Sequence, residues 1–157
     1  MQIKSTDETL RPVYAGAVVL NPRGEVLCQL RDNKPGIRFP GYWTCSPGGH
    51  VEEDESPDHA IIRELKEEFE ITVTDLKVLD VLMENGMETS GIYHAFSATL
   101  ASPEENLKCN EGQRAQFFDI QSVQKLRLHP VSRKILQKFL ARSKASIAPS
   151  SNDGEPS

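Results

Sequence analysis

The alternation of apolar and polar residues predicts strands in the first part of the chain. Residues 13–20 are rich in β-branched side chains, a turn of the sequence Asn-Pro-Arg-Gly follows at 21–24, and the apolar pattern resumes at 25–31. Two such runs on either side of a tight turn are typical of a β-hairpin. Residues 32–42 contain two prolines and two glycines, which predicts a loop leading to a short strand at 43–46.

The same pattern predicts a second hairpin and a last strand. Residues 76–83 and 92–100 are rich in aliphatic and β-branched side chains, and glycine-containing turns lie between them. Residues 114–118 are predicted to form the last strand, followed by a short helix at about 119–126. Pro130 is expected to begin an amphipathic helix. The apolar side of that helix consists of Val131, Ile135, Leu136, Phe139 and Leu140.

A further helix is predicted from Pro57 to about Phe69. Ser56 is a good N-cap, proline suits the first helical position, and Asp58 complements the positive end of the helix dipole. At about 100° per residue, the apolar side chains fall in one stripe and three glutamates fall in a separate arc. The stripe contains Ile61, Ile62, Leu65 and Phe69, and the arc contains Glu64, Glu67 and Glu68.

The glutamate arc has two interpretations. Charge runs on helices are most often a solvated face. Such a face usually has a basic residue four positions from each glutamate, whereas Glu64 is followed at that spacing by Glu68, and the arc contains no basic residue. Like charges on a rigid helix beside the paired glycines Gly48 and Gly49 favour a divalent cation instead, and oxygen ligands suit Mg²⁺ or Mn²⁺.

Length and composition indicate one compact domain. The chain has 157 residues, which suffices for a single hydrophobic core. Strands mixed with helices predict an α+β or α/β fold, in which a mixed β-sheet lies between helices. Residues 1–11 are expected to be loosely ordered, 12–142 to form the domain, and 143–157, rich in serine and proline, to be a disordered tail.

Charge and cysteine content exclude several classes of protein. The net charge of −5 argues against binding of duplex nucleic acid through its phosphates. Cys28, Cys45 and Cys109 are too few and too scattered for a disulfide framework or a Cys-x-x-Cys metal site. No apolar stretch approaches the roughly 20 residues that span a bilayer, so a cytoplasmic location without a membrane partner is predicted. A homodimer is left open.

Residues 49–71 resemble the motif of the Nudix hydrolase family (MutT-like). That motif is Gly, five residues, Glu, seven residues, then Arg-Glu-apolar-any-Glu-Glu-any-Gly-apolar. The matching residues are Gly49, Glu55, Arg63, Glu64, Leu65, Glu67, Glu68 and Ile71. The final glycine of the motif is Glu70 here. This departure lies at the expected helix end, where a left-handed conformation is common, so it bears on stability and not on the acidic cluster.

The resemblance implies a Nudix fold and a Mg²⁺-dependent hydrolase of nucleoside diphosphates linked to another moiety, with Mn²⁺ as an alternative metal. It implies that Glu67 and Glu68 are principal metal ligands and that Glu64 is a further ligand or the base that activates water. The backbone carbonyl of Gly48 resembles a ligand position in the family. Arg63 would orient its neighbour, so Glu64, Arg63 and Glu67 are the implied catalytic residues.

The resemblance also implies roles for two more glutamates. Glu55 is expected to be structural and to pair with Arg63 or with the loop. Glu111, in a polar loop before the last strand, resembles an acidic residue that completes the metal site or serves as base. An ordinary loop glutamate is the other interpretation of Glu111.

Substrate contacts are predicted near the loop that precedes the helix. Gly49 would let the backbone approach a ligand closely, and His50 could touch phosphate. The ring of Tyr42 could stack on a base or sugar, and Arg31 and Arg38 could receive phosphates. Structural turns, packing and solvated arginines are the alternatives for these residues.

The sequence leaves the substrate and two other functions open. Residues 72–91 lack the proline, tyrosine and tryptophan that mark some Nudix subfamilies, which leaves a nucleoside triphosphate or a nucleotide sugar or alcohol by elimination. The run FPGYWTCSPGGHV is loosely similar to isopentenyl diphosphate isomerases, although Cys45 is displaced from the position of their protonating cysteine. A non-catalytic nucleotide sensor is the third possibility, and the intact acidic set argues against it.

Overall fold

The computed structural model describes residues 11–153, with side chains as far as residue 144. Strands and helices follow one another through this part of the chain. They are β1 (Val13–Leu20), β2 (Val26–Leu30), β3 (Trp43–Thr44), β4 (Gly48–His50), α1 (Pro57–Phe69), β5 (Val73–Glu84), β6 (Gly91–Leu100), β7 (Arg114–Phe118), α2 (Ile120–Gln124) and α3 (Pro130–Asp153). Among the described helices, none is long and apolar enough to cross a membrane.

The strands form one mixed sheet. Its main order is β3-β2-β1-β6-β5, with β4 paired to β1 and β7 paired to β2. β1 runs parallel to β6, from Val13 opposite Ile92 to Leu20 opposite Thr99. The other pairings between these strands are antiparallel. The predicted fold class, a mixed sheet with helices, is therefore confirmed.

Helices pack on both faces of the sheet because successive strand residues point to opposite sides. Ala17 and Val19 of β1 belong to a buried cluster with α1, whereas Val18 belongs to a second cluster with α3. The α1 side is filled by Ile61, Leu65 and Phe69, and the α3 side by Val131, Ile135 and Leu136, with Phe139 and Leu140 packed against it. The apolar side predicted for α3 is confirmed.

Several local predictions differ from the structure, and the strand predicted at 43–46 already ends at Thr44. Ile62 is 46% exposed, because it lies at the edge of the α1 stripe and outside the part that faces the sheet. The predicted glycine turn contains a short strand instead, since Gly48 and Gly49 pair with Gly16 and Ala15 of β1. β5 begins at Val73, before the predicted start at residue 76.

Helix α3 extends beyond the predicted end of the domain. The sequence predicts a disordered tail from residue 143, whereas α3 continues to Asp153. Once a helix is nucleated, each added residue gains a hydrogen bond at modest conformational cost, so a packed helix can extend into a polar segment. Residues 1–10 and 154–157, on which the remaining predictions for the two termini fall, lie outside the described residues.

Candidate active site

The ends of α1 have the conformations that the sequence predicts. The Ser56 hydroxyl accepts a hydrogen bond from the backbone N–H of His59 at 3.3 Å. At the other end, Glu70 has φ 57° and ψ 37°, a left-handed conformation. Such a conformation costs a non-glycine residue on the order of 1 kcal/mol. The glutamates of α1 are thus carried by a helix with defined ends.

Arg63 joins α1 to the loop that precedes it. Its Nε and Nη2 donate to the Glu55 carboxylate at 2.7 and 2.9 Å, and its Nη1 donates to Glu64 Oε2 at 3.0 Å. Arg63 also donates to Glu67 at 3.2 Å and to the carbonyl oxygen of His50 at 3.0 Å. The hydrogen bonds from Arg63 lower the pKa of Glu55 to about 2. The predicted pairing of Glu55 with Arg63 is confirmed.

Three carboxyl groups converge beside α1. Glu68 is only 9% exposed, which is unusual for an acidic residue. Burial and, to a smaller extent, the neighbouring carboxylates of Glu64 and Glu111 together raise its pKa to about 10. Like charges at this separation are unfavourable unless a cation neutralises them. The fold therefore brings Glu111 to the helix glutamates despite its distance along the sequence.

The chemistry of this cluster fits a hard divalent cation. All the candidate donors are oxygens, which Mg²⁺ prefers. Gly49 forms part of the cradle, because a Cβ at this position would lie 2.5 Å from the Glu64 carboxyl carbon. Within the described part of the chain, however, no group of three His, Cys, Asp or Glu is placed so that it could hold a metal ion as it stands. The Glu67 side chain is 59% exposed and turned to Arg63, so the predicted ligands would need to rearrange.

A cavity of about 310 Å³ opens between the sheet and the start of α3, and Glu111 is the member of the carboxyl cluster that lines it. Most of the predicted substrate-binding residues line it. These residues are Gly49, His50, Arg31 and Arg38, together with Gly48 and Glu111 of the predicted metal site. Arg38 is also hydrogen-bonded to another lining residue, since its Nη1 donates to the carbonyl oxygen of Glu88 at 3.2 Å.

Tyr42 is absent from the residues that line this cavity. The guanidinium of Arg127 covers its ring at 4.1 Å, and the ring of Phe39 packs edge-on against it at 5.3 Å between centroids. The structure therefore gives the Tyr42 ring a packing role here, which is the alternative interpretation from the sequence.

Several cavity residues were not predicted from the sequence. The rings of Tyr14 and Tyr93 stack at 4.7 Å, and the Tyr14 ring also lies 4.5 Å from His50. Tyr14 and Tyr93 meet because β1 and β6 pair, which no local pattern reveals. Gln29 donates through Nε2 to the carbonyl oxygen of Glu111 at 2.7 Å. Gln29 is the one residue with a polar amide in the apolar strand VLCQL, a pattern that indicates a specific hydrogen-bonding role.

Ser132, in the first turn of α3, holds the segment between β3 and the paired glycines. Its hydroxyl accepts from the Cys45 backbone N–H at 2.7 Å and lies 3.2 Å from the hydroxyl of Ser46. Cys45 is fully buried, its thiol contacts the same hydroxyl at 3.2 Å, and burial raises its pKa to about 11. A buried thiol in this environment is poorly suited to protonate a substrate, which argues against the isomerase alternative. Cys28 and Cys109 are also free thiols.

His129 caps α3 beside the cavity and is held in the neutral form. Its Nδ1 accepts a hydrogen bond from the Val131 backbone N–H at 3.1 Å, and its ring packs 4.5 Å from that of Phe39. Burial, with a smaller contribution from the charge of Arg31, lowers its pKa from 6.5 to about 4, against an opposing effect of Glu84. Protonation at Nδ1 would remove the acceptor that the helix start requires.

This cap should make folding stability depend on pH. Because the unfolded chain binds a proton below about pH 6.5 and the folded chain does so only near pH 4, the contribution of His129 is complete above pH 6.5 and is lost as the pH falls toward 4. We expect a loss of up to about 2 kcal/mol, allowing for partial exposure. Denaturant unfolding from pH 4 to 7 should show a flatter pH profile for His129→Asn, which retains a capping acceptor. Equal profiles for the two proteins would contradict this role.

Comparison with known proteins identifies the class to which this fold and site belong. The NUDIX domain model matches residues 10–139, so the chain belongs to the Nudix family. It is 45% identical over 68 residues to an 8-oxo-dGTP diphosphatase from Proteus vulgaris, a match that covers 43% of this chain and 58% of that protein. It is 41% identical over 57 residues to an RNA pyrophosphohydrolase from Gluconacetobacter diazotrophicus, covering 34% of each. The chain thus spans less than two thirds of the length of either relative.

Solved structures share the whole fold. The MutT protein from Methanosarcina mazei Go1 superposes with a TM-score of 0.71 at 22% identity, over 85% of this chain and 95% of that one. An Ap4A hydrolase from C. elegans, solved as a binary complex, has a TM-score of 0.64 at 26% identity, over 84% and 98% of the chains. The Nudix fold predicted from the motif is therefore confirmed.

Proposed function

We propose that this protein is a metal-dependent Nudix pyrophosphohydrolase, which cleaves a diphosphate linkage in a nucleoside diphosphate derivative by attack of water on phosphorus. The observation that carries the proposal is the convergence of Glu64 and Glu68 with Glu111, which lines the cavity. Phosphoryl transfer requires charge neutralisation and alignment more than covalent chemistry, and a cluster of this kind supplies both once a cation is bound.

The proposed metal is Mg²⁺, with Mn²⁺ as the alternative, and it would neutralise phosphate charge and acidify water. Glu64, Glu67, Glu68, Glu111 and the Gly48 carbonyl would hold it. Glu64 is also the proposed base, because its carboxylate is fixed by Arg63 Nη1 at 3.0 Å and is adjacent to the Gly49 backbone. Glu111 is the alternative base.

The proposed substrate is a nucleoside triphosphate, with a nucleotide sugar or alcohol as the alternative. Arg31 and Arg38 line the cavity and supply positive charge for phosphates. The stacked rings of Tyr14 and Tyr93 offer an aromatic wall for a base. The 45% identity to an 8-oxo-dGTP diphosphatase supports the same choice, over the part of the chain that matches. A small-molecule substrate and a cytoplasmic location are part of this proposal.

A substrate panel in the presence of Mg²⁺ tests the proposal. It should contain dGTP, 8-oxo-dGTP, ATP, ADP-ribose, a nucleotide sugar, diadenosine tetraphosphate and a triphosphorylated RNA oligonucleotide. We expect the highest kcat/KM for a nucleoside triphosphate and no turnover in EDTA. Reaction in ¹⁸O-labelled water should place the label on a phosphorus oxygen of one product.

The panel also distinguishes the alternative functions. If no diphosphate is cleaved with either Mg²⁺ or Mn²⁺, the hydrolase proposal is wrong. Isomerisation of isopentenyl diphosphate under the same conditions would support an isomerase instead. Nucleotide binding without turnover would support the sensor.

A further inference from the structure

The C-terminal end of α1 is capped by the loop that carries Glu111. The last four carbonyl groups of a helix have no partner within the helix. In α1 all four are satisfied, because the first accepts the last i→i−4 bond of the helix and the other three accept from the loop that carries Glu111. The Lys66 carbonyl accepts from Glu70 N at 3.0 Å, Glu67 from the Asn110 side chain at 2.8 Å, Glu68 from Asn110 N at 2.8 Å, and Phe69 from Lys108 N at 3.0 Å.

Asn110 is the central residue of this cap. Its side-chain nitrogen donates to two acceptors, the Glu67 carbonyl oxygen at 2.8 Å and Glu70 Oε2 at 3.1 Å. Both amide hydrogens therefore bind the end of α1. The second contact exists only because the position that holds glycine in the family motif is Glu70 here.

The residue after Asn110 is Glu111, so the cap also fixes the loop that brings this carboxylate to Glu68. The other side of the loop is held by Gln29, whose Nε2 donates to the Glu111 carbonyl oxygen at 2.7 Å. The backbone of Glu111 is thus fixed between the end of α1 and strand β2, and its side chain is left to reach the carboxyl cluster.

We propose that Glu70 and Asn110 are positioning residues, which hold Glu111 against Glu68 by clamping its loop to the end of α1. Neither residue lines the cavity or belongs to the proposed metal site. Glu70 occupies the position of the motif glycine, and its contact with Asn110 offsets the strain of its left-handed backbone. This inference rests on the proposed function, because it assigns Glu111 to the metal site.

Three variants test the clamp. Glu70→Gly removes the carboxylate and suits the left-handed backbone, so the midpoint of denaturant unfolding should not fall. Asn110→Ala removes both side-chain contacts. Glu70→Gln is the conservative variant, because its amide oxygen can still accept from Asn110. Glu105→Gln, an exposed residue on the 3₁₀ turn (Glu104–Asn106), serves as the matched control.

Two measurements on metal-free protein separate positioning from general stability. The backbone N–H of residue 110 donates to the Glu68 carbonyl oxygen. After correction for the intrinsic exchange rate of each residue type, we expect it to exchange with solvent at least about 10-fold faster in Glu70→Gly and Asn110→Ala. We expect Mn²⁺, followed by electron paramagnetic resonance, to bind these variants about 10-fold more weakly. Glu70→Gln and Glu105→Gln should behave as the wild type in both measurements. In a separate assay of turnover with Mg²⁺, kcat should fall more than KM rises in the two clamp variants.

The outcomes are distinct for the clamp and for the enzyme. Unchanged amide exchange and Mn²⁺ affinity in Glu70→Gly would overturn the clamp, even if the wild type hydrolyses nucleotides. Faster exchange with unchanged Mn²⁺ affinity would mean that the contact stabilises the loop without positioning Glu111, and this result would also overturn the clamp. If the wild type binds Mn²⁺ and responds to the variants as expected but cleaves no diphosphate, the clamp stands and the proposed hydrolysis fails.

Discussion

Replacing Glu68 with glutamine is expected to lower turnover at least about 100-fold, because loss of charge stabilisation at the transition state commonly costs 2.7 kcal/mol or more. The fold should survive. Glu68 is buried beside the carboxylates of Glu64 and Glu111, which disfavour a negative charge on it. A neutral amide of the same shape should therefore not destabilise the metal-free protein. Steady-state kinetics with saturating Mg²⁺, together with denaturant unfolding of the metal-free protein, measure the two effects separately.

Glu67→Gln provides a second measurement at the same site. The Glu67 carboxylate is exposed and bonded to Arg63, yet the family motif implies that it is a ligand. A loss comparable to that of Glu68→Gln would mean that Glu67 turns toward the metal during the reaction. Glu105→Gln should retain full activity. Wild-type turnover in both Glu68→Gln and Glu67→Gln would contradict the assignment of the metal site.

Gly49→Ala is expected to reduce kcat by about 100-fold in a protein that still folds. The added Cβ would lie 2.5 Å from Glu64 Cδ and Oε1, and the flexible end of that side chain must move away. A displacement of about 1 Å at a reacting group can cost about 10²-fold in rate. Circular dichroism and thermal unfolding should be close to those of the wild type, while kcat falls.

Gly48→Ala is the matched comparison for this prediction. Its Cβ would lie 1.9 Å from the backbone oxygen of Ala15, which cannot move without breaking the pairing of β4 with β1. This variant should lose stability, and should lose activity because of it. If Gly49→Ala were as unstable as Gly48→Ala, or fully active, the proposed crowding of Glu64 would be wrong.

The local parts of the site could be predicted from the sequence. Ser56 and Pro57 define the start of α1, and helical spacing puts Arg63 next to Glu64 and one turn from Glu67. The pairing of Arg63 with Glu55 follows from the motif. These features depend on residues close together in the chain, where helix geometry alone sets the distances.

The cavity could not be predicted in the same way, because pairing of distant strands builds it. Tyr14 and Tyr93 stack only because β1 pairs with β6 in a register that places them side by side, and no local sequence pattern predicts that register. Tyr42 shows the converse case. A tyrosine on the loop before the site suggested stacking on a ligand, but Arg127, from a distant turn, covers its ring. Glu111 is intermediate, since its loop was predicted and its contact with Glu68 was not derivable from spacing.

The parallel pairing of β1 with β6 has a consequence for biosynthesis. As the chain leaves the ribosome, β1 and the acidic helix emerge long before β6 and the loop that carries Glu111. Non-local contacts of this kind form late, after the entropy of closing the intervening loop has been overcome. A nascent chain that ends before residue 91, where β6 begins, would therefore expose the unpaired edge of β1 and also lack Glu111. Such a chain is expected to depend on chaperones for its solubility and to bind metal only after translation is nearly complete.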